Sequence, residues 1–531
     1  MLSFGAPQLV ILTTLGLFLA RHSLLSLRAL LSPIPGPLLA KLTVWYLRYY
    51  ELRGERELFI ERLHKKYGDI VYVAPTEVAV RSANGLRDVF SANKLDKPDI
   101  ILLEQWGVTN VASTRDAALH MARRKIVAPV YTAPAIASPP RQKVFKQLVE
   151  GLRRQMDLEA SKHDRVVDIY PLLRWLAADI MSHIIFGNNE ALNSLENRSQ
   201  QKMLSFTLPP IEKRASELPV ILMGWYPMLR GMGDGESDLQ DLTLKIYNSQ
   251  LEKPAEHDVP THMDLLMKKY RENGLSAAIP KPIYIASDSI DHFTAGCFTS
   301  ADTSSWLIWE MGLPHNRDQQ LMLRQELLDA GIGPGVEAEL SVVNKLPFLD
   351  AALKETLRAH PPVPFSQTRQ IKPNQDVRVL GHKIHPGVKV GAQFYSVHRH
   401  PDVFPNAEKW DPSRWEGSHN TPEYRDRSRH FGAFGTGQRI YIRMHIAWAE
   451  VRLVAAAVFS NYDVKLPPTW FDEKGQLLPT KQRQHLFLFH HEQPVIFTKL
   501  RSADRGAVNS RTYVPGRKMP CACGYFLMVS K

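Results

Sequence analysis

The chain has 531 residues, of which 44% are hydrophobic and 23% charged, with a formal net charge of +12; that is enough apolar chain to bury a large core. Its Lys and Arg residues are spread along the sequence without a long basic run, which argues against a nucleic-acid-binding protein and leaves an anionic membrane surface or a solvated basic exterior. The three cysteines, Cys297, Cys521 and Cys523, are too few for a disulfide framework, and no Cys/His spacing marks a zinc site.

Taking the elements in chain order, the first 20 residues carry no charge and residues 8–20 are mostly apolar, with Arg21 and Arg28 following in a further leucine-rich stretch. About 20 apolar residues span a bilayer as a helix. Residues 1–32 are therefore expected to form an uncleaved membrane anchor, with the main body on the cytosolic side where the basic residues lie. Pro33-Ile34-Pro35-Gly36-Pro37 reads as a stiff proline hinge at 33–37 that holds the body off the membrane. Residues 69–73 and 77–80 alternate around Pro75-Thr76 and predict a hairpin. Apolar spacing over 167–186, closed by Gly187, predicts a helix. The sparsely charged stretch 284–312 predicts a helix through the interior, interrupted at Ala295-Gly296. After residue 360 short strands are predicted at 377–380, 383–384 and 388–390, then a helix at 444–459 and closing strands at 486–489 and 495–498. Residues 38–500 read as one domain, mainly α with a small β portion, and 501–531 as a disordered tail.

Three motifs follow one another. Leu346-Pro347-Phe348 opens a helical pattern in which Glu355 and Arg358 share a face at i, i+3; Pro361-Pro362-Val363-Pro364 and Asp411-Pro412-Ser413-Arg414-Trp415 come after it. Upstream, Ala295-Gly296-Cys297-Phe298-Thr299-Ser300 lies within the long apolar helix. Downstream, Phe434-Gly435-Thr436-Gly437-Gln438-Arg439-Ile440-Tyr441-Ile442-Arg443 leads into a helix. This order resembles the cytochrome P450 family, and especially its fungal members, over essentially the whole body.

The resemblance implies a cytochrome P450-like fold, a haem cofactor and a structural ionic cluster of Glu355, Arg358 and Arg414. It implies that Thr299 is the distal alcohol beside the iron, while the acid of the family's proton relay is here Phe298. It assigns haem propionate contacts to His120 (where the family has Trp), Arg124, Arg369 and Arg439. The family's loop is Phe-x-x-Gly-x-Arg-x-Cys-x-Gly, entering a helix beneath the haem. Phe434, Gly437 and Arg439 match in register, but Tyr441 stands at the iron-ligating cysteine and Arg443 at the final glycine.

In the family, thiolate pushes electron density onto the iron and favours O–O cleavage, whereas tyrosinate is a catalase-type ligand. Three readings stay open. Tyr441 binds haem iron as a phenolate favoured by Arg439 or Arg443, giving a monooxygenase or peroxidase-like enzyme. Alternatively, the chain keeps the substrate pocket without the oxygen chemistry and directs a cyclisation or isomerisation by positioning. Or it is a non-catalytic metabolite binder or a decayed family member. The resemblance further implies secondary metabolism at the endoplasmic reticulum membrane of a fungus, a lipophilic small-molecule substrate, and a cytochrome P450 reductase partner only where haem is retained.

Overall fold

The computed structural model describes residues 6–53, 55–98, 104–161, 166–204, 234–253, 257–417, 419–478 and 493–500. The strand read at 486–489 and the tail 501–531, with Cys521 and Cys523, lie outside the described residues. Helix α1 runs Ala6–Leu31, and the side chains of its first turns lie outside the description too. Among the described residues no helix is long and apolar enough to cross a membrane.

The end of α1 docks on the body. Leu25 and Ala29 are buried with Ile34, Tyr72, Val78 and Val388, and the Ser26 hydroxyl donates to the Leu42 carbonyl at 2.9 Å. The proline segment is not a free spacer. Ile34 is fully buried, the Tyr72 amide donates to the Pro35 carbonyl at 2.9 Å, and Gly36 lies so close to Tyr72 that a Cβ would clash with its backbone. Prolines lack amide hydrogens but keep free carbonyls, which suits them to lie beside a strand.

The predicted hairpin is β1 (Ile70–Ala74) and β2 (Glu77–Val80). It extends through β7 (Lys389–Gln393), parallel to β2, to β4 (Ser366–Gln370), giving the order β1-β2-β7-β4. A second sheet has the order β3-β9-β8, from Val166–Asp168, Pro494–Lys499 and Tyr462–Lys465; β5 (Val377–Val379) and β6 (His382–Ile384) form a separate pair. The helix read over 167–186 starts later than its apolar spacing suggests. Val166–Asp168 pairs with β9, and the Asp168 carboxylate caps the following helix by accepting from the Tyr170 amide.

The helices that build the interior are α2 (Arg56–Tyr67), α3 (Ala117–Val127), α4 (Pro139–Ala160), α5 (Ile169–Ile185), α6 (His262–Asn273), α7 (Tyr284–Gly312), α8 (Pro347–Ala359) and α9 (Met444–Asn461). At 29 residues, α7 is about 43 Å long and is buried along most of its length. Ala295-Gly296 does not interrupt it. Gly296 faces Met181 of α5, where any Cβ would collide with the methionine side chain, so the small residue serves the close crossing of two helices.

Helix α9 packs on α7 and buries Glu450 there, with one carboxylate oxygen lacking a hydrogen-bond partner. Burial pushes this carboxyl up to about 8, opposed by a hydrogen bond from Ser300. A raised carboxyl favours folding while it stays protonated, so its contribution is intact below the unfolded carboxyl range and is lost as pH rises through about 8. Going from about pH 6 to about 8.5 should cost on the order of 2 kcal/mol at this residue. Glu450→Gln is expected to flatten the alkaline fall in melting temperature; an identical fall in both proteins would refute the assignment.

Candidate functional site

Glu355 and Arg358, one turn apart on α8, are both fully buried. The guanidinium meets the carboxylate through two bonds of 2.8 Å. Arg414 donates to the same carboxylate at 3.2 Å, the Trp415 indole at 3.0 Å and the Asp411 amide at 2.9 Å. Two further Arg358 hydrogens go to the carbonyls of His398 and Lys409. The cluster ties α8 to the 411–415 segment and leads the chain toward the glycine-rich loop.

That loop is closed by the Tyr441 amide on the Phe434 carbonyl at 2.8 Å. Gly437 turns it at φ +71°, with a Cβ position that would run into the Phe90 carbonyl; only glycine satisfies both. The Tyr441 ring stacks on Phe434, with centroids 6.3 Å apart. Its hydroxyl crosses to α7 and donates to the Ala295 carbonyl at 3.1 Å. The buried Arg443 donates to that hydroxyl at 3.0 Å and lays its guanidinium 4.7 Å from the ring centre. Burial works against the Arg443 charge, but Tyr441, Tyr131 and Asp291 outweigh it and hold the group above the usual arginine range. Burial pushes Asp291 up to about 7, with Arg443 pulling the other way.

A second feature is a patch of positive charge. Burial and mutual repulsion lower Lys97 to about 8 and Arg369 to about 10, and burial lowers Arg439 to about 10. Each donates to backbone carbonyls: Lys97 to Ala112, Arg369 to Thr368, and Arg439 to Thr114 and Arg115. Arg124 donates to the Ile440 carbonyl at 2.6 Å. His120 is buried beside them and is driven down to about 3, first by burial and then by Arg439, Lys97, Arg124 and Arg369. None of the four cations forms an ion pair with a carboxylate among the described residues.

Lys97, Arg369, Arg439 and Tyr441 line one cavity of about 940 Å³, counting the part open to solvent, together with Phe90, Val363 and Phe394. Mostly apolar walls with a few convergent polar groups are the usual make-up of a small-molecule pocket. Thr299 also lines it, with its hydroxyl turned to the Ala295 carbonyl at 3.0 Å, the acceptor used by Tyr441. Phe298 is not on that wall; the Arg174 guanidinium lies 4.6 Å from its ring centre. The structure thus brings Tyr441, Thr299, Arg369 and Arg439 around one cavity, seats His120 and Arg124 close behind it, and sets Phe298 apart. Sequence reading missed Lys97, and of the two arginines it offered beside Tyr441, Arg439 and Arg443, the structure brings Arg443 to the hydroxyl. A lone lysine in a loop carries no pattern.

The sequence model described as Cytochrome P450 matches residues 35–487. The chain belongs to the cytochrome P450 family. It is 26% identical to Cytochrome P450 monooxygenase BOT1 of Botryotinia fuckeliana over 476 residues, covering 84% of this chain and 87% of that protein. It is 25% identical to Benzoate 4-monooxygenase bphA of Aspergillus niger over 479 residues, 83% and 89% of the two chains. Tryptophan 6-hydroxylase fscE of Fusarium equiseti is 27% identical over 459 residues, 83% and 87%. The mainly helical P450 fold follows, and the family is one of oxidoreductases acting on small molecules.

The family's haem can be tested against these residues. The cationic patch fits carboxylate propionates, since its guanidinium and ammonium groups face a cavity whose lining holds no acidic residue among the described residues. The iron centre does not fit. The family's haem stands between the loop and the central helix, and here a side chain from the loop is hydrogen-bonded to that helix, with the Arg443 guanidinium packed against it. Nor does a substitute thiolate offer itself among the described residues. Cys297 is buried on α7, and burial pushes its thiol well above the usual range, which keeps it protonated.

Proposed function

We propose that this P450-family chain works without haem iron, binding a lipophilic small molecule that bears an acidic group and steering a non-oxygenative cyclisation or isomerisation in fungal secondary metabolism. The observation that carries the reading is the Tyr441 hydroxyl on the Ala295 carbonyl, braced by Arg443. Arg369, Arg439 and Lys97 would clamp the acidic group, a role suited to cations that form no ion pair with a carboxylate among the described residues. Phe90, Val363 and Phe394 would hold the apolar remainder and exclude water. Lys97, lowered to about 8, sits in the range where one group holds or releases a proton near neutral pH. The uncharged N-terminal stretch followed by Arg21 and Arg28 supports anchorage at the endoplasmic reticulum membrane; without iron, a reductase has no role.

One observation favours a second reading. Arg443 at 3.0 Å from the phenol oxygen would stabilise a phenolate ligand, once Tyr441 swung away from Ala295. The absorption spectrum and iron content of the purified full-length protein, with and without carbon monoxide, separate the two. Haem far below one per chain is expected. Stoichiometric haem that disappears in Tyr441→Phe would establish the second reading, and a thiolate-type carbon monoxide band would sink both.

A further inference from the structure

A cluster the function does not use lies behind the cavity. His262 opens α6, Asp288 and His292 are four apart on α7, and Tyr131 ends the short turn Ala128–Tyr131 that follows α3. All four side chains are buried, with His262 and Asp288 fully so. Residues four apart on a helix share a face, the spacing that helical metal motifs use for two ligands.

We propose that His262, Asp288 and His292 form a binding site for a divalent first-row transition-metal ion of the zinc class. Proton counting carries the argument. The Tyr131 hydroxyl lies 2.8 Å from Nδ1 of His262 and 2.9 Å from Nδ1 of His292. It has one hydrogen, so it donates to one ring at most, and the other ring must donate its own Nδ1–H to the oxygen. A neutral ring with Nδ1–H has a bare Nε2. Both Nε2 atoms are turned to one oxygen of Asp288, at 3.3 Å for His262 and 3.8 Å for His292. Among the described residues neither His262 Nε2 nor that Asp288 oxygen has a partner at full hydrogen-bond geometry, and the buried Tyr284 hydroxyl, itself unpartnered, also faces Asp288. A bare nitrogen then confronts a carboxylate, lone pair to lone pair, inside the protein. A proton between them would resolve it for one ring; a metal ion resolves it for both rings and the carboxylate at once, since all three ligand atoms lie within its reach.

With the ion in place both rings carry Nδ1–H and both donate to the Tyr131 oxygen, which has two lone pairs to receive them. That is the outer partner a metal-bound histidine requires. The second Asp288 oxygen is already fixed, accepting from the Val111 amide at 2.7 Å. The three ligand atoms lie within 4.8 Å of one another. Bonds of about 2.0–2.2 Å to imidazole and carboxylate bring them closer on loading, chiefly by drawing the two rings together. Two imidazoles and a carboxylate suit zinc and also ferrous iron, and water would complete the coordination.

The test uses the full-length protein produced in zinc-depleted medium supplemented with cobalt, and in parallel in zinc-replete medium, with elemental analysis of both. About one cobalt or zinc per chain is expected, with visible cobalt absorption of a low-coordinate nitrogen–oxygen site. Metal content should collapse in His292→Gln and in Asp288→Asn, while Tyr131→Phe should weaken affinity roughly 10- to 100-fold. Ferrous iron at one per chain without a haem spectrum would support the same site with the other ion. The unmodified protein decides the matter even where a variant fails to fold: a folded chain with no zinc, cobalt or non-haem iron from either medium overturns the proposal. So does metal that persists undiminished in a folded Asp288→Asn.

Discussion

Glu355→Ala should destabilise the protein by about 3–5 kcal/mol, enough to abolish folding at ordinary growth temperature. Five hydrogen-bond donors converge on that one carboxylate: two from Arg358 and one each from Arg414, Trp415 and the Asp411 amide. Removing it leaves the fully buried Arg358 charge facing the carbonyls of His398 and Lys409 and the Phe404 ring, with no anion. An uncompensated buried charge costs more than the pair contributes in its presence. Arg414→Ala should be milder, because that guanidinium also donates to the Pro405 and Asn406 carbonyls near solvent. Thermal unfolding followed by circular dichroism checks both. Equal melting temperatures for Glu355→Ala and the parent chain would show that the cluster does not hold the fold.

The double variant Tyr441→Cys with Arg443→Gly should change haem content from traces to nearly one per chain. The first substitution frees the Ala295 carbonyl and supplies a thiol. The second removes the guanidinium packed on the tyrosine ring at 4.7 Å. Tyr441→Cys alone should gain little, since the buried Arg443 would remain in the gap with Tyr131 and Asp291 as its counterweights. Haem extraction and the carbon monoxide difference spectrum distinguish the variants. If the double variant takes up none, the barrier to haem extends beyond the loop, and the cationic patch serves some other anion only.

What was legible in the sequence follows its periodicities. The interior helix over 284–312 emerges with those bounds, because a long run with few charges has few alternatives. The 69–80 hairpin emerges because its strands alternate around a turn. By contrast β4, Ser-Gln-Thr-Arg-Gln, has no apolar face to betray it; it is a strand because it pairs with β7, with its arginine and a glutamine lining the cavity. Arg124 stands out from the run Arg123-Arg124-Lys125 only through the resemblance. Yet Arg123 is almost fully buried, its guanidinium 4.5 Å from the ring centre of Tyr284, and no local pattern reveals which face of a basic helix turns inward. The motifs that carry the family were all readable. The Tyr441–Ala295 contact was not, since 146 residues separate the two and only the fold joins them. The same holds for Tyr131, His262 and Asp288.

The Pro35 carbonyl that receives the Tyr72 amide has one further consequence. β1 is the outermost strand of its sheet, and an outermost strand offers unpaired amides to any other chain that comes by. Here that amide is spent on a segment built of prolines, which cannot pass the ladder on to a next strand. The segment therefore acts as a seal against sheet-to-sheet association. A chain shortened past Pro35 would lose the seal and gain a sticky margin, whatever it kept of its pocket.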